Sequence, residues 1–396
     1  MADDGLNTRG GRNSGKRIRV LIAAPSLDIL GGQSRQAIRL REGLSSEPSL
    51  QVGFIPHNPR LPSPLGWLQQ IKYVRTVITT LYYCLSLLVT VPRYDIVHIF
   101  SASYYSYLFC AAPAILIAKL FGKRSILNYR SGEAEDHLQN WRLTARPIMR
   151  LADVIVVPSG YLVDLFARFN LPATAIYNLV ELDRFSYRER RPLKPVFLTS
   201  RLLEPLYNVG CVLRAFALIQ KEYPEAELTV AADGWMRPEL EQLAADLKLK
   251  ATRFIGRVPF DQMPEMYDAA DIYLTATNLD NMPASITECM ACGVPVVTTD
   301  AGGIPYIVKH EESCLMIPKD DHVAMAEAAI RLLRDNDLAV RLTQRARADS
   351  AKFTWNAVRA EWIKLYQKLA SDGVSEAASK GNSSTQSQPS ESSARL

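Results

Sequence analysis

Residues 278–305 read Asn-Leu-Asp-Asn-Met-Pro-Ala-Ser-Ile-Thr-Glu-Cys-Met-Ala-Cys-Gly-Val-Pro-Val-Val-Thr-Thr-Asp-Ala-Gly-Gly-Ile-Pro, a stretch whose acids and glycines are spaced for ligand chemistry. Asp280 or Asn281 can cap a helix whose first turn holds Pro283, a favoured starting residue. The helix then runs through Glu288 to Cys292 and stops at Gly293. Asp280 thus precedes the helix, and Glu288 lies more than one turn inside it. Two carboxylates so placed can grip two separate polyols, such as a hexose and a ribose. A plain cap and a surface ion pair are the simpler roles open to the same two acids. Gly302-Gly303 follows the next apolar run and precedes another helical stretch, which would turn helix-terminal amides toward an anion. Gly31-Gly32 stands in the same relation to the first apolar run, without the G-x-G-x-x-G of a dinucleotide site. Cys289-x-x-Cys292 has no histidine beside it and closes its helix rather than opening it, so it reads as a pair of core thiols.

The elements that must position these residues are short apolar strands alternating with helices. Ile18–Ala24 opens the pattern and leads through Gly31-Gly32 into a helix over residues 34–44. Residues 95–100, 125–128 and 154–158 continue it; 196–199, 228–232, 253–255, 272–275 and 294–298 form a second series. Such alternation predicts parallel sheets covered on both faces, an α/β chain of two doubly wound domains. The Arg- and Pro-rich segment 186–195 separates the series. The expected organisation is a disordered lead (1–15), a first domain (16–190), a second domain (191–352), a final helix (353–370) and a Ser-rich disordered tail (371–396). Trp355, Val358, Trp362 and Tyr366 make a core stripe on that final helix. The uncharged run 76–91 contains several Thr and Ser and stops at Pro92, so it reads as a buried helix of the first domain. In-plane membrane contact through Trp67, Lys72, Arg75 and Arg93 is the alternative.

Composition narrows the classes. The chain has 396 residues, 48% hydrophobic and 22% charged, which excludes wholesale disorder and suits two globular domains. Six cysteines without regular spacing exclude a disulfide scaffold, and the acidic start carries no secretory signal, so the cytoplasm is the expected compartment. Residues 1–190 hold 23 Lys+Arg against 14 Asp+Glu, whereas the remainder holds 23 against 27. A basic first half suits a phosphate, an acidic acceptor or a weak contact with an anionic membrane at its inner face. No run of five basic residues points to nucleic acid.

The stretch around Asp280 and Glu288 resembles the C-terminal signature of the retaining family 4 glycosyltransferases of the GT-B fold: Glu, seven residues, Glu, a small-residue helix, Gly-x-Pro-Val-Val and a Gly-Gly loop. Other segments fall in the family's order. Gly31-Gly32 resembles its N-terminal glycine loop, residues 94–98 its Asp-x-x-His strand, residues 178–185 its interdomain segment, and Ser200-Arg201-Leu202 the opening of its second domain. The resemblance covers residues 17–370 and implies two Rossmann-like domains facing across a cleft. It also implies sugar transfer from a nucleotide-activated donor, with retention, to a sugar, glycolipid or polysaccharide acceptor, and with neither metal nor other cofactor. Arg201 would stabilise the leaving diphosphate, being permanently charged and able to donate two parallel hydrogen bonds. Asp280 joins it among the catalytic candidates, while Arg130 or His137 would contact the donor from the first domain. Substrate binding falls to Gly31, Gly32, Asn281, Met282, Pro283, Ser285, Glu288, Gly302 and Gly303. Glu133, Glu135 and Asp136 are candidates for acceptor hydroxyls.

Three departures separate the chain from the family pattern. Asp280 stands where the family has its first Glu. Tyr207 replaces the lysine that follows Arg201, and the first-domain histidine is missing around Tyr129-Arg130-Ser131-Gly132. Two readings follow: a working transferase, or a non-catalytic GT-B protein that binds a glycan or lipid or supports a partner enzyme.

Overall fold

A computed structural model describes residues 17–26, 32–63, 65–71 and 73–383. Gly31, Lys72, the lead 1–15 and the end of the tail, 384–396, lie outside the described residues. The strands of the first sheet are β1 Ile18–Ala24, β2 Leu50–Pro56, β3 Ile96–Ser101, β4 Arg124–Tyr129, β5 Val154–Val157 and β6 Ala173–Ala175. Those of the second are β7 Val196–Thr199, β8 Glu227–Val230, β9 Thr252–Phe254, β10 Ile272–Leu274, β11 Val296–Thr299 and β12 Leu315–Ile317. All pairings are parallel. Val20 to Ala24 and all of β11 are buried, as parallel strands covered on both faces must be.

Strand order locates the ligand ends. The first sheet runs β2-β1-β3-β4-β5-β6 and the second β12-β11-β10-β7-β8-β9. Each order reverses once, between β1 and β3 and between β7 and β10. At such a switch point the loops on either side diverge, leaving a crevice beyond the strands' carboxyl ends. Helix α1 (Gly32–Ser45) enters from β1 beside the first crevice. Three strands escaped the sequence pattern. β2 is partly exposed, with Gln51 and Gly53 diluting its apolar alternation, while β6 and β12 are only three residues each.

Two other expectations need correction. Helix α2 (Val74–Thr90) covers the uncharged run, yet only Tyr83 and Leu87 are buried; its other apolar side chains face solvent or its rim. The uncharged sequence was uninformative about burial because a surface stripe and a core stripe share one spacing. The final helix, Trp355–Ser383, continues past residue 371, where Ser-rich composition had predicted order to end. Its Val358, Trp362 and Tyr366 are buried in the first domain's core, and Tyr366 Oη lies 2.7 Å from Nδ1 of buried His98. The chain therefore returns from its second domain to complete its first.

Candidate functional site

The switch point of the second sheet brings two sequence candidates together. Arg201, just beyond β7, forms an ion pair with Asp280, just beyond β10. The guanidinium lies 4.4 Å from the centroid of the Tyr207 ring, within reach of a cation–π contact. Burial opposes the charge on Arg201, but Asp280 and the surrounding tyrosines outweigh it and raise its pKa. Arg201 Nε has no hydrogen-bond partner among the described residues. The Asp280 loop is tied to the Tyr207 segment through Asn278 N, which donates to Leu206 O at 2.9 Å.

The helix that follows is Ala284–Cys292. Its N-cap is Pro283, so neither Asp280 nor Asn281 caps it as the sequence suggested: Asp280 is drawn to Arg201 instead. Glu288 is 4% exposed and accepts a hydrogen bond of 2.8 Å from Tyr267 Oη. Burial raises its pKa, against the hydrogen bond and the nearby Arg39, Arg35 and Arg184. The surface ion-pair role is thereby excluded for Glu288. Asn281, Met282 and Ser285 are buried at the head of the helix; Asn281 Oδ1 and Ser285 Oγ have no partner among the described residues. Met282 instead holds the domains together, its Sδ accepting from Asn178 N at 3.2 Å and its backbone oxygen facing Asn178 Nδ2. Cys289 and Cys292 are buried among apolar side chains, as core thiols.

Gly302-Gly303 does not open a helix toward an anion. Only one 3-10 turn, Ile304–Tyr306, follows, and Gly303 N already donates to Asp280 O at 2.7 Å. A Cβ on Gly303 would stand 2.0 Å from Asn281 O, and one on Gly302, at φ +55, 2.3 Å from Asp280 O. These glycines therefore let one loop press against the backbone of the other. Gly32 is different: it begins α1, is exposed, and a Cβ there would meet nothing within 4 Å.

In the first domain the structure separates Arg130 from His137. Arg130 donates to Asn128 Oδ1 at 2.9 Å and to Asn178 Oδ1, with its charge 5.0 Å from the Phe100 ring, and burial lowers its pKa. It braces the interdomain segment rather than presenting a free fork. His137 is fully buried among Tyr104, Tyr107, Tyr129 and Trp141, with Nδ1 3.0 Å from Tyr129 Oη. Burial depresses its pKa to about 4, so it is a neutral core histidine at pH 7. Of the neighbouring acids, Glu135 pairs with Arg168, and Asp136 accepts from Tyr104 and Asn140.

Sequence reasoning missed the arginines opposite Glu288. Arg35 and Arg184 each lie 4.2 Å from the centroid of the Phe260 ring, and Arg39 lies 5.1 Å from it. Arg39 is anchored to Leu179 O at 2.7 Å and Glu181 at 3.0 Å. The available signal was their i, i+4 spacing right after the glycine pair, which sets both on one face of α1. Burial partly disfavours the charge of Arg35, whose pKa is lowered despite the attraction of Glu288.

Residues 183–349 match the family of glycosyl transferases group 1. The D-inositol 3-phosphate glycosyltransferase of Corynebacterium jeikeium is 29% identical over 256 residues, which is 59% of this chain and 61% of that protein. A GDP-mannose-dependent alpha-(1-6)-phosphatidylinositol monomannoside mannosyltransferase of Mycobacterium tuberculosis is 26% identical over 66% of this chain and 73% of its own. The chain thus spans less than two thirds of the first of these relatives. Among solved structures, sucrose-phosphate synthase from Thermosynechococcus elongatus superposes with a TM-score of 0.71 at 18% identity, over 90% of this chain and 100% of that one. Anabaena Alr3699/HepE in complex with UDP and glucose does so with 0.70 at 16% identity, over 89% and 100%. The fold is GT-B.

Proposed function

Since residues 183–349 match the family of glycosyl transferases group 1, we propose that the chain transfers a sugar from a nucleotide-activated donor to a sugar, glycolipid or polysaccharide acceptor, with retention of anomeric configuration. The observation that carries this reading is the Arg201–Asp280 pair at the second switch point, bordered by the unpartnered Arg201 Nε, Asn281 Oδ1 and Ser285 Oγ. A buried donor and two buried acceptors without partners suit a ligand with both phosphate and hydroxyl groups. In this reading Arg201 takes the leaving diphosphate, Asp280 turns from Arg201 to a donor-sugar hydroxyl, and Glu288 takes the ribose. Gly32 leaves room at the start of α1 for the donor to approach the backbone. The developing negative charge is met by the Arg201 guanidinium, already held against the Tyr207 ring, which needs no reorganisation at the moment of transfer.

The second reading, binding without catalysis, draws support from Tyr207, whose ring supports Arg201 but supplies no second cation. One experiment separates them. Nucleotide sugars are screened by thermal shift, and each hit is assayed for hydrolysis and transfer, with product anomers assigned by NMR. We expect a stabilising donor that is turned over with retention, and loss of both effects in Arg201→Ala. Turnover should persist in EDTA. A donor that binds but is never turned over would favour the second reading.

A further inference from the structure

We propose that the outer face of α2 lies flat on an anionic lipid bilayer. Tyr83 and Leu87 turn inward, whereas Val77, Leu81, Leu85 and Leu88, four, four and three residues apart, form a stripe in solvent. Leu81 is 58% and Leu85 60% exposed. The helix Ala112–Leu120 packs beside α2 and adds exposed Leu116 and Leu120 to the same apolar region. Trp67, in the turn before α2, is 59% exposed. A contiguous apolar face of this kind marks a docking surface rather than ordinary solvent-facing protein.

Charge selects the occupant. Between Glu47 and Glu133 the only acidic residue is Asp95, and Asp95 is paired with Arg19. Arg75 in the first turn of α2, Arg93 just past its end, and Lys119 and Lys123 at the end of the neighbouring helix form no ion pair among the described residues. Cations bordering an apolar stripe match acyl chains beneath anionic headgroups, because long basic side chains can bury their stems and keep their charges at the phosphates. A second copy of this chain would instead bring like charges together. By length and composition Val74–Arg93 could cross a membrane. Yet Tyr83, Leu87 and Val91 belong to the core cluster beneath the first sheet, and inserting the helix would strip that cluster of its cover. Contact in the plane keeps the fold intact.

The test uses the full chain with phosphatidylcholine vesicles, with and without phosphatidylglycerol, at low and high salt. Co-sedimentation should require phosphatidylglycerol and fall as salt rises, since exposed charges are screened over about 8 Å at physiological salt. The triple variant Val77→Ser, Leu81→Ser, Leu85→Ser should lower partitioning about tenfold or more while keeping the thermal midpoint, because all three side chains are exposed. Lys119→Glu with Lys123→Glu should weaken the preference for anionic vesicles. Brominated acyl chains should quench a tryptophan signal that is lost in Trp67→Phe. The proposal is overturned by absence of binding, by equal binding to both vesicles, or by membrane association that survives alkaline carbonate. It is equally overturned if the triple variant abolishes self-association of a chain that ignores vesicles.

Discussion

Tyr207 stands where a second cation was expected, and its ring lies against Arg201. An exposed cation–π contact is worth about 0.5–1 kcal/mol, and about 2 kcal/mol when desolvated. Tyr207→Ala should therefore weaken nucleoside diphosphate binding by that amount, whereas Tyr207→Phe should preserve it; titration calorimetry on both variants decides. Equal losses would assign the effect to the hydroxyl instead. Glu288 carries a different prediction. Burial raises its pKa above the ordinary carboxylate range, so the folded state holds this proton more tightly than the unfolded chain does. Its contribution to stability is complete below the unfolded pKa and declines as pH rises toward the folded one. Glu288→Gln removes that decline. The variant's melting temperature, relative to the parent's, should rise between pH 4 and pH 7, while its donor affinity falls. A pH-independent difference would mean that the carboxylate is stabilised where it lies.

At the scale of elements, the site is a set of loops braced by glycine. Gly303 admits the backbone of Asn281 where a Cβ would be 2.0 Å from its oxygen. Gly303→Ala should destabilise the chain by about 1–3 kcal/mol, the range for overpacking, and displace the Asp280 loop. Gly32→Ala meets open space and should leave stability within about 0.5 kcal/mol. Its effect, if the donor approaches this helix start, is confined to donor affinity. Chemical denaturation and nucleotide titration, run side by side, separate the brace from the contact. Comparable stability losses in the two variants would undo this division.

The whole molecule is closed by its last helix. Trp362 is buried against the first domain, 4.6 Å from the His98 ring, and Arg359 pairs with Glu47. Trp362→Ala should cost about 3–5 kcal/mol, the usual range for deleting a buried aromatic side chain. The loss should appear in amide exchange across β1, β3 and β4, which pack against this helix, and not only at the chain's end. Protection lost at the final helix alone would show that it is an appendage. A further contact joins the two domains, Tyr306 Oη donating to Asp164 at 2.6 Å.

Strand-and-helix alternation, the two-domain division and the Asp280–Glu288 spacing were legible in the sequence because each is local. Periodicity and turn chemistry act over a few residues, and the second-domain motif keeps its acids within one loop and one helix. What remained hidden depends on contacts between distant segments. Arg35 and Arg184 are 149 positions apart yet share the Phe260 ring. His137 and Arg130 looked equally available, and packing alone buried one in an aromatic cage and tied the other to Asn178. Gly302-Gly303 looked like an anion nest until the Asp280 backbone occupied its amide. The same apolar period fits a helix in a core and one on a surface, so the sequence of α2 left its outer face undecided. Tertiary packing chose, because only the folded chain determines which side of a helix finds partners.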